Sequence, residues 1–252
     1  MRIDEFLFAK GFFDSRTKAK QAIESGSVFY RDKVVLKPST EVFDIDLDAI
    51  KISDEERFVS LGGYKLAKAL KDFDFNVDGL IVADIGASTG GFTDCLIKNG
   101  AKKVYAIDLN DDLLHDSLKR NGKVTRVIKN AKNLVAADVS GIDLITADLS
   151  FISAKQVLSV FYDILPENGR VILLIKPQFE IGTKRRFKNG IVKDLSTHKT
   201  VCRSVYDEAI RVGFSVIDMT VAPIKEDKNT EFLILLLKNG ASSVDFEKLY
   251  KF

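Results

Sequence analysis

From about residue 60 onward, short apolar runs alternate with helical patterns. The runs are Leu80–Ala83, Lys103–Asp108, Val124–Ile128, Ile142–Asp148 and Val171–Lys176. Before the first lies LGGYKLAKALKDF, a helix with Leu66, Ala69, Leu70 and Phe73 on one face. Further helices are expected at Phe92–Asn99, Asp111–Lys119, Ala154–Leu165 and Thr197–Val212. Parallel strands need crossover connections, so this alternation implies an α/β fold with a doubly wound, mostly parallel sheet. Two more runs, Phe214–Val221 and Glu231–Leu237, follow without a helix between them, so they are expected to pair antiparallel. This part is expected to span residues 57–240, leaving 241–252 as a C-terminal tail.

A smaller α+β module precedes it. Ile3, Phe6, Leu7 and Lys10 before Gly11 suggest a short helix, and RTKAKQAIESG suggests a second one ending at Gly26. Val28, Tyr30, Val34 and Leu36 flank the polar turn Arg31-Asp32-Lys33, a hairpin signal. Charge marks the boundary. Residues 1–40 carry a net +3, residues 41–56 a net −6, and residues 57–252 a net +5. The first domain is therefore set at 1–56, with the acidic strip as its linker.

Several function classes are disfavoured at this stage. Cys95 and Cys202 stand far apart, as do His115 and His198, and none has zinc-ligand spacing, so no metal site is expected. Two unpaired thiols suit a reducing cytoplasm. No run of about 18 apolar residues is present, so no membrane span is expected. The N-terminal MRIDEFLFAKGFF has acids within its apolar stretch and does not read as a secretion signal.

The sharpest motif is Asp84-Ile85-Gly86-Ala87-Ser88-Thr89-Gly90-Gly91-Phe92, between the first strand and its helix. Its glycines let the backbone turn tightly and approach a ligand. Asp108 ends the next strand, 22 residues after Gly86, where a carboxylate can hydrogen-bond a ribose. A dinucleotide site would want G-x-G-x-x-G, but Ser88 stands at the second glycine position. Asp84 just before the loop would repel a phosphate and suit a cation. S-adenosylmethionine carries a sulfonium and an ammonium and no phosphate, so it is preferred over NAD as the cofactor. A glycine-rich turn without a ligand is the bland alternative.

Ligands of open parallel sheets sit beyond the carboxyl ends of the strands. Those ends carry Asp148 in ADLSF and Lys176 in IKPQFE, while Glu231 begins the last strand and Lys65 lies on the first helix. A ribose 2′-hydroxyl is a poor nucleophile at neutral pH. Lys176 can orient it and accept its proton where burial lowers the lysine pKa, with Asp148 holding the lysine and Lys65 and Glu231 bracing the site as a second charge pair. Taken singly, each has an ordinary reading: a helix cap, a strand-end lysine, a solvated helix charge and an exposed edge residue. Two basic clusters suit RNA phosphates. One is Arg2, Arg16, Lys18 and Lys20; the other is Lys184, Arg185 and Arg186, followed by Phe187, which can stack on a base. A solvated charged face is the alternative for both.

The stretches VSLGGYKLAKAL, DIGASTGGFTDCL, ADLSFIS, IKPQFEIG, GIVKDLSTH and NTEFLILLL, spanning residues 59–237, resemble the TlyA family, whose catalytic domain is an FtsJ-like ribose methyltransferase. Arg2, Asp4, Ser15-Arg16, Ala19, Gly26 and Val28 resemble a small RNA-binding domain first seen in a ribosomal protein. The resemblance implies a class I, Rossmann-like methyltransferase sheet. It implies methylation of a cytidine 2′-hydroxyl in ribosomal RNA, with ribosomal RNA or a ribosomal subunit as partner. It places the family's lysine–aspartate–lysine–glutamate tetrad on Lys65, Asp148, Lys176 and Glu231, the cofactor motif on Asp84–Gly91, and Asn130 near the adenine. The linker Glu56-Arg57-Phe58-Val59-Ser60 lacks the tryptophans of some members, and the N-terminal extension is short. Short forms in the family act on large-subunit RNA alone, so that substrate is implied. The family also bears a haemolysin-like name, which leaves a membrane-active protein as an alternative. A non-catalytic RNA-binding protein is another.

Overall fold

Local chemistry explains where most elements start and stop in the computed structural model. It describes residues 1–252 except 25, 32, 36, 43–46, 53–57, 182–189 and 224–227. The chain divides into two compact units, Met1–Leu61 and Gly62–Phe252.

In the first unit, α1 (Ile3–Ala9) and α2 (Arg16–Glu24) precede a small antiparallel sheet of β1 (Val28–Tyr30), β2 (Lys33–Val34) and β3 (Ile50–Ile52), ordered β2-β1-β3. Ile3, Leu7, Ala19, Ile23, Val28 and Ile50 form its buried core. The helices match the sequence reading, and so does the β1–β2 pairing, although Asp32 and Leu36 of the expected hairpin lie outside the described residues. The third strand is new. It lies inside the acidic strip taken as a linker, where only Ile50 and Ile52 flank Lys51, too short an alternation to read as a strand.

The second unit begins within α3 (Leu61–Asp72), which buries Leu66, Ala69 and Leu70. The sheet strands are β4 (Ile81–Ile85), β5 (Lys103–Asp108), β6 (Val124–Ile128), β7 (Leu144–Ala147), β8 (Arg170–Ile175), β9 (Phe214–Val221) and β10 (Phe232–Lys238). Their order is β6-β5-β4-β7-β8-β10-β9. The pairs among β4 to β8 are parallel, and β10 runs antiparallel to both neighbours. This is the Rossmann-like, mostly parallel sheet with an antiparallel final strand that the sequence implied. β4 has β5 on one side and β7 on the other, so connections leave it in opposite directions and open a crevice beyond its end.

The helices are more broken than their patterns suggest. Asp111–Lys119 divides into a 3₁₀ turn at Asp111–Leu113 and α5 (Asp116–Lys119), because Asn110 and His115 each cap a new start. Ala154–Leu165 likewise divides into a 3₁₀ turn, Ala154–Gln156, and α6 (Leu158–Ile164), with Ser153 capping the turn. A single turn, α7 (Pro177–Glu180), follows β8 directly, with Pro177 at its first position, where a missing N–H costs nothing. α4 (Gly91–Lys98) and α8 (Leu195–Val212) follow their patterns closely. Asp194 caps α8, and Gly213 ends it at φ 115°.

The stretch 241–252, set apart above as a tail, carries α9 (Phe246–Leu249). Phe246 and Leu249 are buried in the main core, and the Phe246 ring packs against Tyr206 and Tyr250. Among the described residues no helix is long and apolar enough to cross a membrane. Because Phe246 is 1% exposed, Phe246→Ala is expected to destabilise the fold by about 3–5 kcal/mol. Chemical denaturation checks this; an unchanged midpoint would mean that the C-terminal segment does not belong to the core.

Candidate active site

The loop after β4 is built around a buried acid. Asp84 is fully buried; its Oδ2 accepts a hydrogen bond from Thr93 Oγ1 at 2.6 Å, and its Oδ1 accepts one from Thr146 Oγ1 at 3.0 Å. The carboxylate thus straps β4 to α4 and to β7. Burial pushes its pKa up to about 7, against the opposing effect of the two threonine hydroxyls. Gly86 sits at φ 83°, and a Cβ there would lie 2.6 Å from the Asp148 carbonyl oxygen. The loop backbone therefore passes directly under the end of β7, and only glycine fits.

Beyond that loop lies a cleft of about 590 Å³, lined by Gly86, Ser88, Asp108, Leu109, Leu113, Asn130, Ala131, Asp148 and Phe151, among others. Its volume suits a nucleoside-sized ligand. The Asp108 carboxylate is pre-oriented, accepting hydrogen bonds from Ser88 N–H at 2.8 Å and Leu109 N–H at 2.7 Å. Asn130 accepts from Lys132 N–H, which fixes its side chain at the cleft wall. Of the nine residues expected to bind cofactor, Gly86, Ser88, Asp108 and Asn130 line this cleft. Asp84, Thr89, Gly90, Gly91 and Phe92 are not brought to its wall. Gly90 packs against Leu114 and Leu118, Gly91 and Phe92 are buried in α4, and the Thr89 carbonyl accepts from His115 N–H. These five shape the loop from behind. A larger groove of about 750 Å³ runs along α8, but it is lined by Lys199–Glu247, Arg203–Asp207 and Arg211–Glu208 pairs and holds none of the loop residues.

The four charges expected to converge do so. Lys176 Nζ lies 2.6 Å from Asp148 Oδ1, a close ion pair rather than an aligned hydrogen bond. Lys65 Nζ lies 2.5 Å from Glu231 Oε2 and 3.9 Å from Asp148 Oδ2. Asp148 therefore stands between two lysines. α3 is held for this task by Lys68 and Asp72, both of which bond Thr220 on β9. Burial opposes the charge on Lys65, but the carboxylates of Asp148 and Glu231 outweigh it and hold its pKa above the ordinary lysine value. Lys65 is thus a fixed cation at neutral pH.

The turns after β7 and β8 are also tied together, which sequence reasoning missed. Lys176 Nζ donates to Ser150 Oγ at 2.9 Å. The Phe151 and Phe179 rings pack with centroids 5.1 Å apart. Glu180 accepts from Ser153 Oγ and from Ala154 N–H, both at 2.6 Å. Burial pushes the Glu180 carboxyl above its ordinary pKa, opposed by those two hydrogen bonds. Phe151 is 92% exposed and adopts φ 64°, a left-handed conformation that costs about 1–3 kcal/mol for such a residue. A sequence signal was available: each strand-end charge, Asp148 and Lys176, is followed three residues later by phenylalanine.

In the first unit, the four expected RNA-binding cations are all paired with acids. Buried Asp4 accepts hydrogen bonds from Arg2 and Arg16, Arg16 also meets Glu5, Lys18 pairs with Asp14, and Lys20 lies 3.9 Å from Glu24. Arg2 and Arg16 remain 42% and 45% exposed. The second expected cluster, Lys184, Arg185 and Arg186, lies outside the described residues.

Residues 58–239 match the family described as FtsJ-like methyltransferase, and residues 1–42 match the S4 domain. A protein of Brachyspira hyodysenteriae named Hemolysin A is 35% identical over 92% of this chain and 98% of its own. The 16S/23S rRNA (cytidine-2′-O)-methyltransferase TlyA of Mycobacterium tuberculosis is 32% identical over 93% of this chain and 89% of its own. The crystal structure of a hemolysin-named protein of Lactococcus lactis superposes with a TM-score of 0.73 at 40% identity, covering 77% of this chain and 97% of that one.

The raised pKa of Asp84 has a signed consequence. Between about pH 4 and pH 7 the folded protein holds a proton that the unfolded chain releases, so this group's contribution to stability falls as pH rises through that window, by about 1.4 kcal/mol per pH unit. Asp84→Asn does not titrate. Its stability relative to the parent is expected to improve between pH 5 and pH 8. Denaturation curves at the two pH values check this, and a pH-independent difference would contradict the buried, proton-binding acid.

Proposed function

Because this chain belongs to the FtsJ-like methyltransferase family, we propose that it transfers the methyl group of S-adenosylmethionine to the ribose 2′-hydroxyl of a cytidine in large-subunit ribosomal RNA. The observation that carries this reading is the Lys176–Asp148 ion pair at the cleft edge, with the Lys65–Glu231 pair beside it. One relative is named for cytidine 2′-O-methylation of both 16S and 23S ribosomal RNA and another for 23S alone, which supports the substrate.

The cleft fits the cofactor. The pre-oriented Asp108 carboxylate suits a ribose diol. Leu109, Leu113 and Ala131 offer an apolar slot for an adenine, with Asn130 at its edge. Gly86, pressed against the Asp148 backbone, keeps the loop tucked beneath the strand ends that border the cleft. Bound there, S-adenosylmethionine supplies an electrophilic methyl carbon on a sulfonium.

The four charged residues then act on the RNA ribose. Lys65, a fixed cation held by Glu231, anchors Asp148 from one side. Asp148 holds Lys176 from the other across the 2.6 Å contact. With the cofactor bound, Lys176 Nζ, as the free amine, would orient the 2′-hydroxyl and accept its proton while that oxygen takes the methyl group. Such a displacement needs its atoms in line, so positioning supplies much of the rate. The exposed Phe151 ring, backed by Phe179, offers a face on which the target base can stack.

Residues 1–42 supply general grip on the RNA backbone. Arg2 and Arg16, braced by one buried acid, present guanidinium groups that suit phosphate geometry, and Lys18 and Lys20 lie on the same helix as Arg16. Lys184, Arg185 and Arg186 are proposed to seat the target strand. An enzyme acting on ribosomal RNA works in the cytoplasm, which is the location we assign. The hemolysin names belong to relatives. The tetrad and cofactor cleft favour methyl transfer over a membrane-active protein or a binding module without catalysis.

Two variants separate cofactor binding from chemistry. Asp108→Ala is expected to weaken S-adenosylmethionine binding by about 1.5–3 kcal/mol, the scale of hydrogen bonds to a charged group. Lys176→Ala is expected to lose about 10²–10⁴ in turnover, as for loss of a positioned base, with cofactor affinity little changed. Calorimetry and a labelled-methyl assay on ribosomal RNA measure both. Normal turnover by Lys176→Ala would move the active site elsewhere.

A further inference from the structure

Glu180 lies in the IKPQFE motif but has no part in the mechanism above. Its surroundings give it one. β7 and β8 are parallel neighbours, so the turns that follow them run side by side. Asp148 and Ser150 are held at the start of the first turn by Lys176. Ser153 and Ala154 are held at its far end by the two oxygens of Glu180. Between these anchors sits Phe151, left-handed at φ 64° and almost wholly exposed. A strained residue persists only where its surroundings over-determine it. Lys176 fixes one side of this turn, and Glu180 fixes the other.

We propose that Glu180 is a positioning residue for methyl transfer, clamping the turn between Asp148 and Ala154 so that Phe151 presents its ring to the target base. This rests on the reading of the cleft given above. Glu180 touches neither the cofactor cleft nor the reacting atoms, and it acts only through the turn. Phe179, its neighbour, backs the Phe151 ring, so α7 supports the turn by both packing and hydrogen bonding. α7 thus ties base placement to Lys176, which immediately precedes it.

The test is a double-variant cycle on the full chain. It compares Glu180→Ala, Phe151→Ala and their combination in kcat and KM for ribosomal RNA, with cofactor affinity and thermal unfolding measured alongside. Glu180→Ala is expected to lower kcat/KM for RNA about tenfold or more, a typical cost of small misplacements, with cofactor affinity unchanged. In the Phe151→Ala background it should cause little further loss, because the group it positions is gone. Its effect on the unfolding temperature should be the same in both backgrounds. Glu180→Gln keeps an acceptor for Ala154 N–H and a partner for Ser153 Oγ, so it should recover most of the loss. If Glu180→Ala does not fold, Ser153→Ala removes one of the two clamping bonds and carries the same expectation at smaller size. Folded Glu180→Ala with parental kcat/KM overturns the proposal, as do losses that simply add in the combination. Parental activity in Phe151→Ala overturns the base-stacking reading itself.

Discussion

Two lysines and two carboxylates share a partly buried space at the strand ends, and their mutual pairing is the constraint on which the site depends. Removing such charges from water is costly, and the attraction between them often does no better than well-packed apolar side chains would. Stability alone gives no reason to gather Lys65, Asp148, Lys176 and Glu231 in one place. Their arrangement is an alternating one, with Asp148 between the two ammonium groups and Glu231 behind Lys65. Each charge thus has an oppositely charged partner within 4 Å.

The fold supplies this arrangement through topology. Asp148 and Lys176 follow adjacent parallel strands, β7 and β8. Glu231 precedes β10, which runs antiparallel beside β8, so its start lies at the same end of the sheet. One reversed strand thus brings a third element to the crevice that an all-parallel sheet would have sent to the opposite end. Lys65 arrives on α3, which Lys68 and Asp72 moor to β9. The buried Asp84 holds the cofactor loop beneath the same edge by bonding α4 and β7 together.

Much of this was legible in the sequence. The alternation of apolar runs and helical patterns is a long-range signal, and it determined the sheet, its parallel character and its antiparallel end. The convergence of Asp148, Lys176 and Glu231 was legible because ligands of open sheets sit beyond the strand ends. Shorter features were hidden. β3 rests on two isoleucines within an acidic strip. The splitting of the Asp111–Lys119 and Ala154–Leu165 helices depends on caps at Asn110, His115 and Ser153, whose hydrogen bonds compete with a continuous helix. The bonds of Asp84 to Thr93 and Thr146 come from folding and could not be read from spacing. The clamp at Glu180 was invisible for the same reason: its partners are 26 and 27 residues away in the chain.

The central claim is that these four side chains act on a ribose hydroxyl and not on a base. Mass spectrometry of nucleosides from ribosomal RNA, after incubation with the purified chain and S-adenosylmethionine, tests it most directly. The account predicts 2′-O-methylcytidine as the new product, located in large-subunit RNA, and none when Asp148 is replaced by alanine. A methylated base with an unmodified ribose, or product formation that survives loss of Asp148, would contradict it.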